Sequence, residues 1–269
     1  MSARGRGIPR YLRPMPKRVL GLPKIVWTIV VLVVLLGIVE GVAHSPAVTR
    51  FELVPIETMV RQAISLLGNG SFLKDALLHS SLMILVSFAL ASVVGILIAL
   101  VMHAFGVVRR ALNPFLSVYY SVPTFALYPI VVVIFGTGAV PIVITASAFA
   151  VISVTVKGLE GFDSVPVVID KLGRSLELTG MKRVRTILLP AALPDVAAGL
   201  KLAFGYSIIA VLATEFILAT QGLGWYISNE YDEFQIAGMY GAILIVAALA
   251  LVANAGLGAV LRRFDWRRW

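Results

Sequence analysis

The chain contains no cysteine, so it can form no disulfide, no thiolate nucleophile and no cysteine-ligated metal site. Charge is scarce as well. Asp, Glu, Lys and Arg make up 14% of the 269 residues, while 59% are hydrophobic and the mean hydropathy is +0.94. A soluble domain carries about 25% charged residues. An ordinary cytosolic globule, a disordered chain and a disulfide scaffold are thereby excluded, and a membrane protein remains. Acids are the scarcer sign, 14 against 23 bases. The resulting excess of +9 is not the stripe of a nucleic-acid binder, because the bases sit between long apolar runs rather than on one soluble face. Histidine is rare too: His44, His79 and His103 are scattered, with no His-Glu-x-x-His pair for metal hydrolysis. No Gly-x-x-x-x-Gly-Lys-Ser/Thr run exists to cradle phosphates, so no catalytic residue, metal or bound cofactor is expected of this chain.

What the sequence does have is long charge-free runs. A helix needs roughly 20 apolar residues to cross a hydrocarbon core about 30 Å thick. Ile25 to Ala43 is the first such run, its single acid, Glu40, near the far end. Residues 76–108 hold the second, about Leu77 to Met102. Residues 111–156 run 46 positions without Asp, Glu, Lys or Arg, enough for two helices with a break at Phe135-Gly136-Thr137-Gly138. A fifth span is expected from about Val196 to Leu218 and a sixth from Ala237 to Leu261. The fold class is therefore all-α, a polytopic membrane protein of six transmembrane helices. Its divisions are a basic tail (1–24), the first helix and an external loop (25–74), a core (75–261) and a second basic tail (262–269). Residues 54–67 carry apolar side chains at helical spacing and should lie along the outer membrane surface.

The bases orient these spans. Arg4, Arg6, Arg10, Arg13, Lys17, Arg18 and Lys24 precede the first span, Arg109 and Arg110 follow the second, six bases follow the fourth, and Arg262, Arg263, Arg267 and Arg268 follow the sixth. The opposite side has only Arg50, Arg61 and Lys74, and it carries the acids Glu230, Asp232 and Glu233. Both termini are expected in the cytoplasm of a multi-pass inner-membrane protein. The first apolar run, 19 residues, exceeds a signal-peptide core and reads as a retained anchor.

Between the fourth and fifth spans lies residues 157–194, with Val165, Val168 or Ile169, Leu172 and Leu176, then Met181, Val184, Ile187 and Leu188, at helical spacing among bases. Two short amphipathic helices are expected, one face against the bundle and the other free. The segment is either a surface-lying linker or a docking element for a cytoplasmic partner.

Here the residues resemble a known family. Gly173 to Thr179, then Ile187-Leu188-Leu189-Pro190 through Pro194, then Ala198-Gly199-Leu200-Lys201, are similar to the coupling loop of ATP-binding-cassette importer permeases. Asn113-Pro114-Phe115, Ser121-Val122-Pro123-Thr124-Phe125-Ala126-Leu127-Tyr128-Pro129, Ala213-Thr214-Glu215 and Gly222-Leu223-Gly224-Trp225 agree with its nitrate/taurine/sulfonate branch. The resemblance implies that the chain forms a pore with a second permease copy or homologue. It also implies two ATP-binding subunits, which carry the ATP and Mg, and an external binding protein that delivers a small oxyanion or sulfonate-like solute. Coupling to the ATPase would fall on Arg174, Leu176, Glu177, Gly180 and Pro190. Counting back from Pro190, the family's glycine position holds Glu177, and the Glu-Ala-Ala triplet falls on Lys171-Leu172-Gly173. Glutamate favours continued helix, so the turn is expected to move towards Gly180.

Within the spans, Pro123 and Pro129 flank Thr124 and Tyr128, with Ser121 just before. Prolines free backbone carbonyls, so this stretch either lines the translocation pathway or is simply kinked. Glu215, an acid inside a span, is either pathway-lining or a structural hydrogen-bond partner. Lys201 is explained by snorkelling. Gly222-Leu223-Gly224 reads as a turn allowing close approach of an external partner. The rival functions are an ion-gradient-driven secondary transporter using Glu215, and a membrane scaffold. The absence of inverted repeats and the long basic loop disfavour the former.

Overall fold

In hydrocarbon a backbone amide has no water to bond, so charge-free apolar segments close their hydrogen bonds internally as helices. The computed structural model of the chain follows that rule; it describes residues 18–19, 22–45, 53–119 and 124–264. Among these, the only strands are a minimal antiparallel pair, Arg18–Val19 (β1) with Leu22–Pro23 (β2). Five helices are long and apolar enough to cross a membrane: Val26–Ala43, Phe72–Ala104, Ala139–Asp163, Gly180–Leu218 and Ile236–Leu261. The basic tails and the loop at 46–52 lie largely or wholly outside the described residues, as do Ser121 and Pro123.

The chain divides into two units, residues 1–56 and 57–269. In the first, α1 (Lys24–Ala43) is apolar on every side and buries none of its span. A helix of that kind takes lipid as its solvent. Its acid Glu40 accepts a hydrogen bond from the Ile56 amide at 2.9 Å.

The second unit begins at the second residue of α2 (Ile56–Leu67), the amphipathic helix expected there, with Met59 and Leu66 buried. A wide π-turn, Phe72–Leu78, leads into α3 (His79–Ala104). Then come α4 (Gly106–Tyr119), a 3-10 turn (Thr124–Leu127), α5 (Tyr128–Phe135) and α6 (Ala139–Asp163). The break between α5 and α6 falls where glycine and proline marked it. Gly136 and Gly138 take φ of +78° and +125°, in a region other residues rarely enter. The third span, however, is not one helix. Pro114 lies inside α4 and Pro129 in the first turn of α5, and the chain is divided into a 14-residue and an 8-residue piece. Proline removes an amide donor and turns the preceding residue away from helix, which makes the division intelligible.

The helix α6 is the hub, buried along its whole length from Pro141 to Phe162. Its neighbours are α3 and α9 (Leu189–Leu218), and glycine sets their distance. A Cβ at Gly95 would lie 2.7 Å from Val154 Cβ, and one at Gly199 would lie 2.8 Å from Lys157 Cβ. Gly158 faces Ala99, and Gly161 faces Ala192. Buried hydroxyls bond back along their own helices, as Thr155 does to the Val151 carbonyl at 2.9 Å and Ser207 to that of Ala203 at 2.9 Å.

The cytoplasmic-loop expectation is corrected in one respect. Helix α7 (Val167–Ser175) is short and separate, but the second expected helix is not. Helix α8 (Gly180–Arg183) runs through a π-turn (Val184–Leu188) directly into α9, giving one helix from Gly180 to Leu218. The π-turn sits just before Pro190, whose ring would collide with the carbonyl four residues back in regular α-helix. Two further helices, α10 (Leu223–Asp232) and α11 (Ile236–Leu261), complete the unit.

The glycine contacts make a testable demand. Gly95→Leu should lower the stability of the chain in mild detergent by about 1 to 3 kcal/mol, the usual range for overpacking. Gly256→Leu, with nothing within 4 Å of its Cβ position, should leave the unfolding midpoint nearly unchanged. Equal midpoints for the two variants would contradict glycine-set packing around α6.

Candidate functional site

An acid within a membrane span is expensive unless its oxygens are bonded. Glu215, near the end of α9, is 1% exposed. Its Oε2 accepts hydrogen bonds from Ser80 Oγ of α3 at 2.6 Å and from the Gly224 amide of α10 at 3.0 Å. The Leu223 amide in turn donates to Ser80 Oγ at 2.7 Å, and the Gly222 amide donates to the Asp75 carbonyl at 3.0 Å. The first amides of a helix lack internal partners and carry its positive dipole end. Glu215 and Ser80 together supply what α10 lacks there, and join α3 to the sequence-distant pair α9 and α10. Among the described residues Glu215 Oε1 has no partner.

This geometry explains Gly222-Leu223-Gly224. Gly222 has φ +107°, and a Cβ there would fall on the Glu215 carboxylate. One on Gly224 would meet the Leu212 carbonyl and Glu215 Cβ. The close approach these glycines allow is therefore to Glu215 of the same chain, not to an external partner. Leu223 between them is fully buried. Farther along α10, the Tyr226 ring packs edge-on against Phe72 at 4.8 Å. Burial, reinforced by the neighbouring Glu230 carboxylate, pushes the Tyr226 phenol up to about 12, so it remains a neutral donor to Glu230.

Of the other expected pathway residues, Ser121 and Pro123 lie outside the described residues. Thr124 begins the 3-10 turn, with its side chain outside the description. Pro129 is exposed, whereas Tyr128 is wholly buried in the cluster that contains Met83, Ile142, Ile208 and Val211.

At the expected coupling segment, the apolar stripe of α7 faces outward. Val168 is 76% exposed, Leu172 58%, Leu176 61% and Met181 67%. What packs inward is Gly173, against the tip of Ile187, together with Val165 and Val184 at the edge of the cluster around Phe162 and Leu188. The sequence suggested the opposite arrangement, because periodicity identifies an apolar face without saying what covers it.

The turn after α7 is also corrected. Glu177 itself takes the left-handed conformation, φ +54°, and the Leu178 amide bonds back to the Gly173 carbonyl at 2.9 Å. This is the helix-ending motif in which a residue at positive φ, usually glycine, follows the last turn. The position expected to correspond to the family's glycine thus takes a positive φ with glutamate in it. Gly180 adopts a second positive φ, +53°, at the start of α8. Arg174 lies in the last turn of α7, while Pro190 is exposed near the start of α9.

Two substitutions test the outer network. Ser80→Ala should destabilise by about 1 to 3 kcal/mol, since it strips a donor from Glu215 and an acceptor from Leu223 in a buried place. Glu215→Gln, which preserves an acceptor for Gly224, should cost less than Glu215→Ala. Thermal unfolding in detergent reads both, and a Glu215→Ala protein as stable as the parent would remove the stapling role.

Comparison with known proteins bears on the whole chain. Residues 91–267 match the family described as binding-protein-dependent transport system inner membrane component. The chain is 27% identical over 236 residues, 86% of each chain, to the taurine transport system permease protein TauC of Escherichia coli (strain K12). It is 26% identical over 178 residues to the nitrate import permease protein NrtB of Leptolyngbya laminosa, covering 66% of this chain and 64% of that one. It is 24% identical over 168 residues to the bicarbonate transport system permease protein CmpB of Synechococcus elongatus, covering 62% and 60% respectively. In three dimensions it resembles a chain from inward-facing conformations of the MetNI methionine ABC transporter, with TM-score 0.61 over 75% of this chain and 97% of that one. At 18% identity that likeness is one of fold. The chain belongs to the binding-protein-dependent transport inner-membrane components, the permease subunits of ATP-binding-cassette importers.

Proposed function

We propose that this permease pairs with a second copy or a homologue to form a pore for a small oxyanion or sulfonate-like solute, and that two ATP-binding subunits drive it from the α7 side. The single observation that carries the motor-docking part is the outward apolar stripe Val168, Leu172, Leu176 and Met181, flanked by Lys171 and Lys182. Soluble surfaces seldom leave such a stripe bare without a partner. Arg174, Leu176, Glu177, Gly180 and Pro190 form or flank the turn that would transmit movement. ATP and Mg are held by the partner subunits and not by this chain. The solute class rests on what the taurine, nitrate and bicarbonate permeases are named for carrying.

In this reading the chain crosses the inner membrane six times with both termini in the cytoplasm, the divided α4–α5 segment serving as the third crossing. The bases at 109–110, 157–185 and 262–268 support that orientation. Ser121, Pro123, Thr124 and Pro129 are the residues assigned to the pathway, while Tyr128 and Glu215 support it from within the fold. An external binding protein delivers solute at the outer end, where α10 lies. Loaded binding protein and ATP together favour the outward-open state, a shift of population between two arrangements. A gradient-driven transporter using Glu215 is not favoured, because that carboxylate is engaged by Ser80 and Gly224.

Proteoliposomes holding the chain with its ATPase should take up labelled taurine, nitrate or bicarbonate only when ATP and binding protein are both supplied. Uptake by the chain alone, driven by an ion gradient without ATP, would overturn this reading. Coupling is tested in the same vesicles. Gly180→Val places a β-branched residue at positive φ, a strain of about 1 to 3 kcal/mol. It should therefore uncouple hydrolysis from uptake more severely than Glu177→Gln, which leaves the backbone as it is. Glu177→Gly should be tolerated and should stabilise the turn by about 1 kcal/mol. The reverse order, with Glu177→Gln uncoupled and Gly180→Val normal, would assign Glu177 a direct docking contact instead.

A further inference from the structure

Helix α11 packs unevenly. Its buried residues, Ile236, Gly238, Gly241, Ala242 and Ile245, all lie in its first ten positions, and none follows in the remaining turns. Where its second half runs beside α9, a groove of about 520 Å³ opens, lined by Lys201, Leu202, Gly205, Tyr206, Ile209 and Asn254. It adjoins a second hollow of about 290 Å³ whose walls include Lys201, Gly258, Leu261 and Arg262. Lys201 is common to both. The basic groups therefore stand at one end, and the walls running from Lys201 to Ile209 are apolar for about 12 Å along the helix. Gly205 and Gly258 leave open space there, with nothing within 4 Å of either Cβ position. Neither Lys201 nor Arg262 forms an ion pair among the described residues.

We propose that this groove binds one anionic phospholipid, its phosphate held between Lys201 and Arg262 and an acyl chain laid along Gly205 and Ile209. A cationic mouth continuous with an apolar trough matches an amphiphile. A free anion would use the mouth and leave the trough empty, and a packed helix from another copy would use the trough and leave two cations unpaired. Basic pockets between membrane helices on the cytoplasmic side are suited to anionic headgroups. The placement of the mouth in the inner leaflet rests on the orientation proposed above. Asn254 and Tyr206 line the trough beside Lys201, where their polar atoms can reach the glycerol ester groups.

The test uses the full chain in detergent, titrated with phosphatidylglycerol or with phosphatidylcholine of the same acyl chains. Thermal unfolding and native mass spectrometry give the readouts. Phosphatidylglycerol should raise the unfolding temperature and remain bound as one molecule, with little effect of phosphatidylcholine. The double variant Lys201→Gln, Arg262→Gln should weaken that preference about 10-fold or more, given the contribution expected of each base. Gly205→Leu keeps both bases but fills the trough, and should lose the retained lipid while still folding. Arg61→Gln, on α2, should behave as the parent. An unchanged preference in the double variant would overturn the proposal. So would equal protection by inorganic phosphate, or a disulfide between two copies carrying Gly205→Cys. External labelling of Arg262→Cys in sealed cells would refute the orientation and leave the lipid measurement standing.

Discussion

The structure depends on how closely α3 and α9 approach α6. Lipid is as apolar as leucine, so helices in a membrane gain little by hiding apolar side chains from it, and association rests on close packing. Gly95, Gly158, Gly161 and Gly199 bring backbone against backbone at that hub, and every one meets a neighbour at 3.1 Å or less when given a Cβ. Ser153, Thr155 and Ser207 are tolerated in the same interior because their hydroxyls bond back to their own helix. The hub is thus a closely packed core to which α4, α5, α7 and α10 are attached, and these attached pieces are the ones with functional interest.

Each attachment is made with a different device. At the far end of α9 a buried carboxylate and one hydroxyl fix the start of α10, using amides that any helix start leaves unsatisfied. A second ionic knot lies at the other end of α6, where Asp163 meets Arg109 at 2.7 Å and His103 at 3.1 Å. It ties the start of α4 and the end of α3 to the point from which α7 departs. The helix from Gly180 to Leu218 runs from the α7 turn to Glu215 without interruption. A displacement at its Gly180 end would therefore be carried along a continuous rod towards α10, with the π-turn before Pro190 as its locally altered stretch.

Much of this was legible in the residues. Gaps between charges located each of the five long helices, because a charge in hydrocarbon is too costly to place casually, although the helix expected from about Val196 begins at Gly180. Glycine at 136 and 138 marked the break before α6. Other features are nonlocal, and periodicity carries no information about them. Glu215 stood out as an intramembrane acid, but its partner Ser80 is 135 residues away. Gly222 and Gly224 signalled a close approach without naming what approaches. The stripe on α7 could be identified but not its direction, since an apolar face looks the same whether a bundle or another protein covers it. At Glu177 local preference was misleading: glutamate disfavours positive φ, yet the bond from Leu178 to Gly173 imposes it. The expected third span was read as one helix with prolines that kink or line it, and α4 and α5 prove to be separate pieces, because the spacing of prolines does not say how far they interrupt a helix.

The account turns on the outward face of α7 meeting the ATP-binding subunit. Because the chain has no cysteine, a single one can be introduced without background. The most direct measurement is cross-linking from Leu172→Cys and Leu176→Cys to the ATPase in the assembled importer, with Val60→Cys on α2 as reference. The account predicts efficient linkage from both α7 positions, with a yield that changes when ATP is added, and none from position 60. An importer that transports normally while neither α7 position reaches the ATPase would contradict it.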